Sequence, residues 1–255
     1  MLREALRYYA KSGASDLAGF VDLLDELPED ITLLRKADAT AATLAQRLRV
    51  ARINDPLFAG EGEPVDPGIL LTPPSGKRAR VSVISMIGLP DPAQRQGFVN
   101  QLQMALFSWI KKHPARDRPL SGLLVMDEAQ ELVPSGRVTA CSESTRRLVA
   151  QARKYGLGLL FATQAPKALH NQIPGNAATQ FYGRLSSPVQ IGAAREVAKA
   201  KGGDVPDIAR LTRGQFYVGT DGTNFVKTAT PMCLSYHPAA PLTEEEVIAR
   251  ARADR

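Results

Sequence analysis

The run Gly122-Leu-Leu-Val-Met-Asp127-Glu128-Ala-Gln130 constrains this chain more than any other segment. Apolar residues bounded by glycine on one side and acids on the other read as a short strand buried on both faces, the setting of a strand in a parallel sheet. Parallel strands need crossover helices to return the chain, so the run commits its surroundings to an α/β arrangement. Asp127 and Glu128 then fall at the carboxyl end of the strand, where open α/β sheets bind ligands. Two adjacent acids at that place suit a hydrated Mg²⁺ and an activated water, the two needs of nucleotide hydrolysis. This is the Walker B pattern.

Its usual companion is missing. Ser75-Gly76-Lys77-Arg78 carries a Gly-Lys pair, but G-x-x-x-x-G-K-[ST] requires glycine where Leu71 stands and Ser or Thr where Arg78 stands. The segment also precedes a strand-like run instead of opening a helix, so Lys77 is set aside as a phosphate ligand. No other Gly-Lys pair occurs in the 255 residues.

The flanking pattern extends the α/β expectation. Residues 1–53 read as helical, with stripes at Leu2, Leu6 and Tyr9, at Leu17, Phe20, Val21 and Leu24, and at Leu33, Leu34, Ala37, Ala41, Leu44 and Leu48. Residues 54–78 are rich in Pro and Gly and read as a linker. Residues 80–87, Arg-Val-Ser-Val-Ile-Ser-Met-Ile, read as a strand. A helix starts near Asp91-Pro92, carries Phe98, Val99, Leu102, Leu106, Trp109 and Ile110, and ends at the basic 111–113. After the 122–126 strand comes a helix over 142–155, stopped by Gly156, and a second buried strand over 157–162. Gly214–Gly219 and Asn224–Ala229, split by Asp221-Gly222, read as a hairpin. Thr243 and Glu246 open a last helix with a capping-box pattern. The expected organisation is a helical segment (1–53), a linker (54–78), an α/β core (79–235) with a mostly parallel sheet flanked by helices, and a C-terminal tail helix (236–255).

Composition closes off other classes. No stretch reaches the roughly 20 apolar residues of a membrane span, and the acid-containing first ten residues are no secretory signal. Two cysteines make neither a disulfide framework nor a zinc site, and three scattered histidines have no metal-ligand spacing. A reducing, cytoplasmic setting is the expectation. The net charge of +6 is compatible with a polyanionic partner.

Four residues carry the expected chemistry. Asp127 holds Mg²⁺ through water, and Glu128 polarises the water that attacks the γ-phosphate. Gln164 caps the neighbouring strand, where a neutral amide contacts the γ-phosphate or that water. Arg153, with Lys154 beside it, ends the 142–155 helix. It is suited to neutralise phosphate charge across a subunit interface, or simply to face the negative end of the helix dipole. Arg146, Arg147, Arg184 and Arg195 are weaker candidates for the same work. The plain alternative is a strand that ends in two surface acids, with a glutamine in solvent.

Three segments together resemble the HerA/FtsK group of P-loop ATPases, and within it the HerA-like, DUF87-type bacterial ATP-binding proteins. They are Leu123–Gln130, the stretch Ala152-Arg-Lys-Tyr-Gly-Leu-Gly-Leu-Leu-Phe-Ala-Thr-Gln-Ala-Pro166, and the block 171–185. The resemblance covers about residues 79–230. It implies a RecA-like ATPase core using ATP and Mg²⁺, a homo-oligomeric (usually hexameric) ring, DNA as the translocated or unwound partner, and in some members a nuclease partner. It makes Asp127 and Glu128 the Walker B acids, Gln164 the sensor and Arg153 the finger acting in trans. The family also carries a Walker A loop and an N-terminal β-domain, so the core is expected to be incomplete on its N-terminal side, with residues 1–53 matching an insertion. On this expectation the chain is the C-terminal part of a longer ATPase and binds ATP poorly alone. Two other readings compete. One is a subunit without a P-loop that donates Arg153 to a partner's site. The other is a DEAD-box-like helicase, disfavoured because the chain has no room for a second RecA-like domain.

Overall fold

A computed structural model describes residues 1–14, 16–28, 30–31, 37–54, 65–234 and 240–253. The chain divides into two units, Met1–Val65 and Asp66–Arg255.

The first unit contains helices α1 (Leu2–Lys11), α2 (Leu17–Asp25) and α3 (Ala37–Asn54). Asp16 starts α2 by accepting the Gly19 N–H at 2.7 Å, and the Tyr9 hydroxyl donates to the same carboxylate at 2.9 Å, tying α1 to the cap. Phe20, Val21 and Leu24 of α2 pack on Ala41 and Ala45, one turn apart on α3. Small side chains there let the helices approach, so α3 buries its alanines, while Leu44 and Leu48 are only partly buried. Leu33 and Leu34 lie outside the described residues.

The second unit is mixed α/β. It opens with α4 (Pro67–Leu71), capped by Asp66, whose carboxylate accepts the Gly68 N–H at 2.7 Å. The long α5 (Pro92–Lys112) follows, with proline in its first turn, where the missing N–H costs nothing. Then come β1 (Gly122–Met126), α6 (Ala129–Leu132), α7 (Ser142–Gln151) with a 3₁₀ extension Ala152–Tyr155, and β2 (Leu157–Phe161). Strands β1 and β2 pair in parallel, from Gly122 opposite Leu157 to Met126 opposite Phe161. The chain continues through α8 (Gln172–Asn176), β3 (Thr179–Tyr182), α9 (Pro188–Ala200), β4 (Gln215–Thr220) and β5 (Val226–Ala229) to α10 (Glu244–Ala253). Strands β3, β4 and β5 form an antiparallel sheet in that order. The expected hairpin is β4–β5. The expected capping box is present at α10, where the Thr243 N–H donates to Glu246 Oε2 at 2.8 Å and the Glu246 N–H to Thr243 Oγ1 at 3.3 Å.

Gly156 fixes the entry into β2. It ends the 3₁₀ turn at φ +79°, and a Cβ built there would stand 2.2 Å from the Ala115 Cβ. Its carbonyl accepts the Ser121 N–H at 2.7 Å, which sets the starts of β1 and β2 side by side.

The register sorts the β1–β2 side chains onto two faces. Leu124, Met126, Leu157, Leu159 and Phe161 point to one face, which packs on α5 and α7 through Ile110, Leu148 and Ala152 and on Val99, Leu132 and Val133. Leu123, Val125 and Leu160 point to the other and are 52%, 56% and 43% exposed. The two-sided burial read from the apolar run is therefore realised on one side only, because no layer among the described residues covers the second.

Residues 80–87 correct a sequence expectation. Their composition suits a strand, yet they form none, and Val81 and Val83 are each 87% exposed. A strand exists only where a neighbour completes its hydrogen-bond ladder, and no described strand pairs with this segment. Residues 55–64 of the expected linker lie outside the described residues, and α4 occupies part of the remainder. Among the described residues, no helix is long and apolar enough to cross a membrane.

Candidate functional site

Two backbone hydrogen bonds carry the β1–β2 pairing past the strand ends. The Ala162 N–H donates to the Met126 carbonyl and the Ala129 N–H to the Ala162 carbonyl, each at 2.9 Å. They draw Asp127-Glu128 and Thr163-Gln164 to one place at the carboxyl edge of the parallel pair. Glu128 turns sharply there, at φ +47° and ψ +43°, as the residue that opens α6. A left-handed conformation costs a residue with a Cβ about 1–2 kcal/mol, a cost that concentrates at functional positions.

The turn aims the half-buried Glu128 side chain along the edge of the sheet. Gln164 Nε2 donates to Glu128 Oε1 in a short contact, and Gln130 Nε2 donates to Oε2 at 2.6 Å. The Thr163 hydroxyl donates to Gln130 Oε1 at 2.5 Å and accepts the Ala165 N–H at 3.0 Å. Asp127 is exposed, and its Oδ1 accepts the Glu128 N–H at 3.0 Å. Among the described residues, no three His, Cys, Asp or Glu side chains gather as a metal-binding group. A single exposed carboxylate such as Asp127 suits Mg²⁺ held largely by water and substrate phosphate, the usual manner of that ion.

A polar knot lies beneath the end of β1. Gln103 of α5 is fully buried, and its Nε2 lies 3.4 Å from the Met126 sulfur. Its Oε1 accepts from the Ser144 and Thr145 hydroxyls of α7, at 2.6 and 3.0 Å. The same two hydroxyls reach the Cys141 carbonyl at 3.0 and 2.8 Å. The residue directly before Asp127 is thus fixed by a buried amide that joins the two helices below the sheet.

Asp127, Glu128 and Gln164 are brought together, and Arg153 is not. Arg153 is exposed in the 3₁₀ turn that precedes β2, at the amino end of the parallel pair. A five-residue strand separates the two ends by roughly 16 Å, beyond the reach of an arginine side chain. Any action of Arg153 on such a site is therefore on another chain's site. The weaker basic candidates have local partners or lie elsewhere. Arg146 and Arg147 pair with Glu143 on their own helix, Arg195 donates to the Pro206 carbonyl, and Arg184 is exposed beyond β3.

Three residues of this site were not singled out in the sequence: Gln130, Thr163 and Gln103. Gln130 and Thr163 sit inside the runs already noted. Gln103 had a readable signal, a polar residue within the apolar stripe of α5 between Leu102 and Leu106.

No family model and no curated protein matches the chain. Among solved structures it is similar to the genome packaging NTPase B204 of Sulfolobus turreted icosahedral virus 2. The sulfate complex gives a TM-score of 0.46 at 16% identity, covering 66% of this chain and 78% of that one. The complex with ATP-gammaS gives 0.41 at 18% identity, covering 53% and 62%. The chain thus spans less than two thirds of the length of B204 in the ATP-gammaS complex. Likeness at this level carries no conclusion about chemistry, which rests on the side chains described above.

Proposed function

We propose that this chain supplies the water-activating half of an ATPase site in a ring-forming, HerA-like motor, in which ATP hydrolysis drives translocation or unwinding of DNA. The observation that carries the proposal is the meeting of Glu128 and Gln164 at the carboxyl ends of two adjacent parallel strands, with the exposed Asp127 beside them. Asp127 is the residue that would hold Mg²⁺, which when bound would supply neutralisation of the phosphate charge. Glu128 accepts the proton of the attacking water as that water approaches the γ-phosphorus. Gln164, bonded to Glu128 at rest, reaches the same space and contacts the γ-phosphate or the water. The phosphate-gripping backbone comes from outside the 255 residues, since their one Gly-Lys pair lacks the rest of the pattern. Arg153 completes the site of a neighbouring subunit, in keeping with its place at the opposite end of the sheet.

Mixing variants tests the shared site. Arg153→Ala and Glu128→Gln are each expected to be inactive alone and to regain part of the DNA-stimulated hydrolysis when mixed within one assembly. Full activity of Arg153→Ala would remove the arginine from the mechanism. Absence of stimulation by DNA would count against the motor.

The incomplete phosphate-loop pattern also favours a second reading, a non-hydrolysing subunit that lends Arg153 to a partner's site. The two separate cleanly. In the second, Arg153→Ala is damaging while Glu128→Gln is neutral.

A further inference from the structure

We propose that Thr163 and Gln130 form a hydrogen-bond relay that sets the orientation of the Glu128 carboxylate, making Gln130 a positioning residue for water activation. The catalytic part of this inference rests on Glu128 being the base proposed above, whereas the relay itself rests on geometry alone.

A threonine hydroxyl has one proton to give. Thr163 Oγ1 accepts the Ala165 N–H at 3.0 Å and gives its proton to Gln130 Oε1 at 2.5 Å. An amide has an accepting end and a donating end, and fixing one fixes the other. With Oε1 engaged by Thr163, the Gln130 NH₂ faces Glu128 Oε2 at 2.6 Å. The opposite flip would set the amide oxygen against a carboxylate that has no proton to give it. The acceptor-only carboxylate of Glu128 thus selects the NH₂ end of Gln130, and the Thr163 hydroxyl, anchored by the Ala165 N–H, holds the other end in place.

The relay joins different parts of the chain. Gln130 lies on α6 after β1, and Thr163 and Ala165 lie in the loop after β2. Gln164, between them, holds the other carboxylate oxygen. Both oxygens of Glu128 are thus held by amides, one following each strand, and the 163–165 loop bears on both, through Gln164 directly and through Thr163 on Gln130. General-base catalysis depends on such orientation, because the base must lie within hydrogen-bond reach of the proton it takes.

The relay is tested in the full chain by ¹³C NMR with the glutamate side-chain carboxyl labelled. The Glu128 signal is identified by its loss in Glu128→Gln. Thr163→Val keeps the shape of threonine and removes the proton, Thr163→Ser restores the proton, and Gln130→Met removes the amide. Thr163→Val and Gln130→Met are expected to shift the Glu128 signal in the same direction, with Thr163→Ser staying at the wild-type position. In the protein that hydrolyses ATP, Thr163→Val and Gln130→Met are expected to lower kcat roughly tenfold, the scale of one hydrogen bond to a charged group, and to leave KM within about twofold. Thr163→Ser is expected to keep most of kcat. An unmoved Glu128 signal in Thr163→Val, or equal damage from Thr163→Ser and Thr163→Val, overturns the relay. A signal that shifts while kcat stays at the wild-type value overturns the positioning role. A wild-type assembly, complete with the chains that grip the phosphates, that hydrolyses nothing overturns the assignment of Glu128 as base, while the carboxyl signal still decides the relay.

Discussion

Replacing Gln103 by leucine examines the support beneath the site and gives a magnitude that follows from the hydrogen bonds around this amide. Gln103 is fully buried and accepts from Ser144 and Thr145, while its NH₂ contacts the Met126 sulfur. Leucine fills nearly the same space and makes none of these bonds. The two hydroxyls are not stranded, however, because each already lies within 3.0 Å of the Cys141 carbonyl. Two hydrogen bonds of about 1 kcal/mol each are lost and partly replaced, and burying an apolar side chain offsets some of the remainder, so Gln103→Leu is expected to destabilise the second unit by about 1 kcal/mol. Gln103→Ala adds a cavity and is expected to cost about 3 kcal/mol. Trp109 is the only tryptophan and lies on the same helix, so its fluorescence follows this unit during urea unfolding of the whole chain. A loss for Gln103→Leu as large as that of Gln103→Ala would refute the idea that the hydroxyl protons redirect to Cys141.

Other outcomes follow from single contacts. Gly156→Ala combines a left-handed φ with a collision against Ala115, and is expected to lower stability by about 2–4 kcal/mol in the same assay, whereas Gly136→Ala, with φ +78° and no atom within 4 Å of its added Cβ, should cost only about 1 kcal/mol. Burial pushes the Tyr182 hydroxyl up to about 12 from its ordinary 10.0. The unfolded chain therefore ionises this group first, and the stability it contributes is complete below pH 10 and declines as pH rises to about 12. With solvent screening of this half-buried group discounted, the difference in stability between wild type and Tyr182→Phe should change across that window by about 1 kcal/mol, and no change would place Tyr182 in solvent.

What could be read in the sequence was local or set by the ends of elements. The apolar runs before Asp127 and Thr163 located β1 and β2 and placed their carboxyl ends together. Asp91-Pro92, Gly156 and the Thr243–Glu246 pair marked helix ends, because caps and left-handed turns depend on few residues. Residues 80–87 were misread because a β-branched alternating run states only a capacity to pair, and the ladder partner is decided by the rest of the fold. The exposed face of Leu123, Val125 and Leu160 was hidden for the same reason. An apolar run shows what a strand could bury and cannot show what covers it. The relay through Gln130 was out of reach because its accepting end is held by Thr163, 33 residues further along the chain in the loop after the next strand.

The most direct measurement is the rate of ATP hydrolysis, with Mg²⁺ and DNA, by the protein isolated from its own cells together with whatever chains complete its site, compared with the same assembly carrying Glu128→Gln. Loss of a general base is expected to lower kcat by at least about a hundredfold while the variant still retains bound ATP. A wild-type assembly that hydrolyses no ATP, or a Glu128→Gln assembly that turns over at the wild-type rate, would contradict the assignment of this carboxyl edge as the water-activating half of an ATPase site.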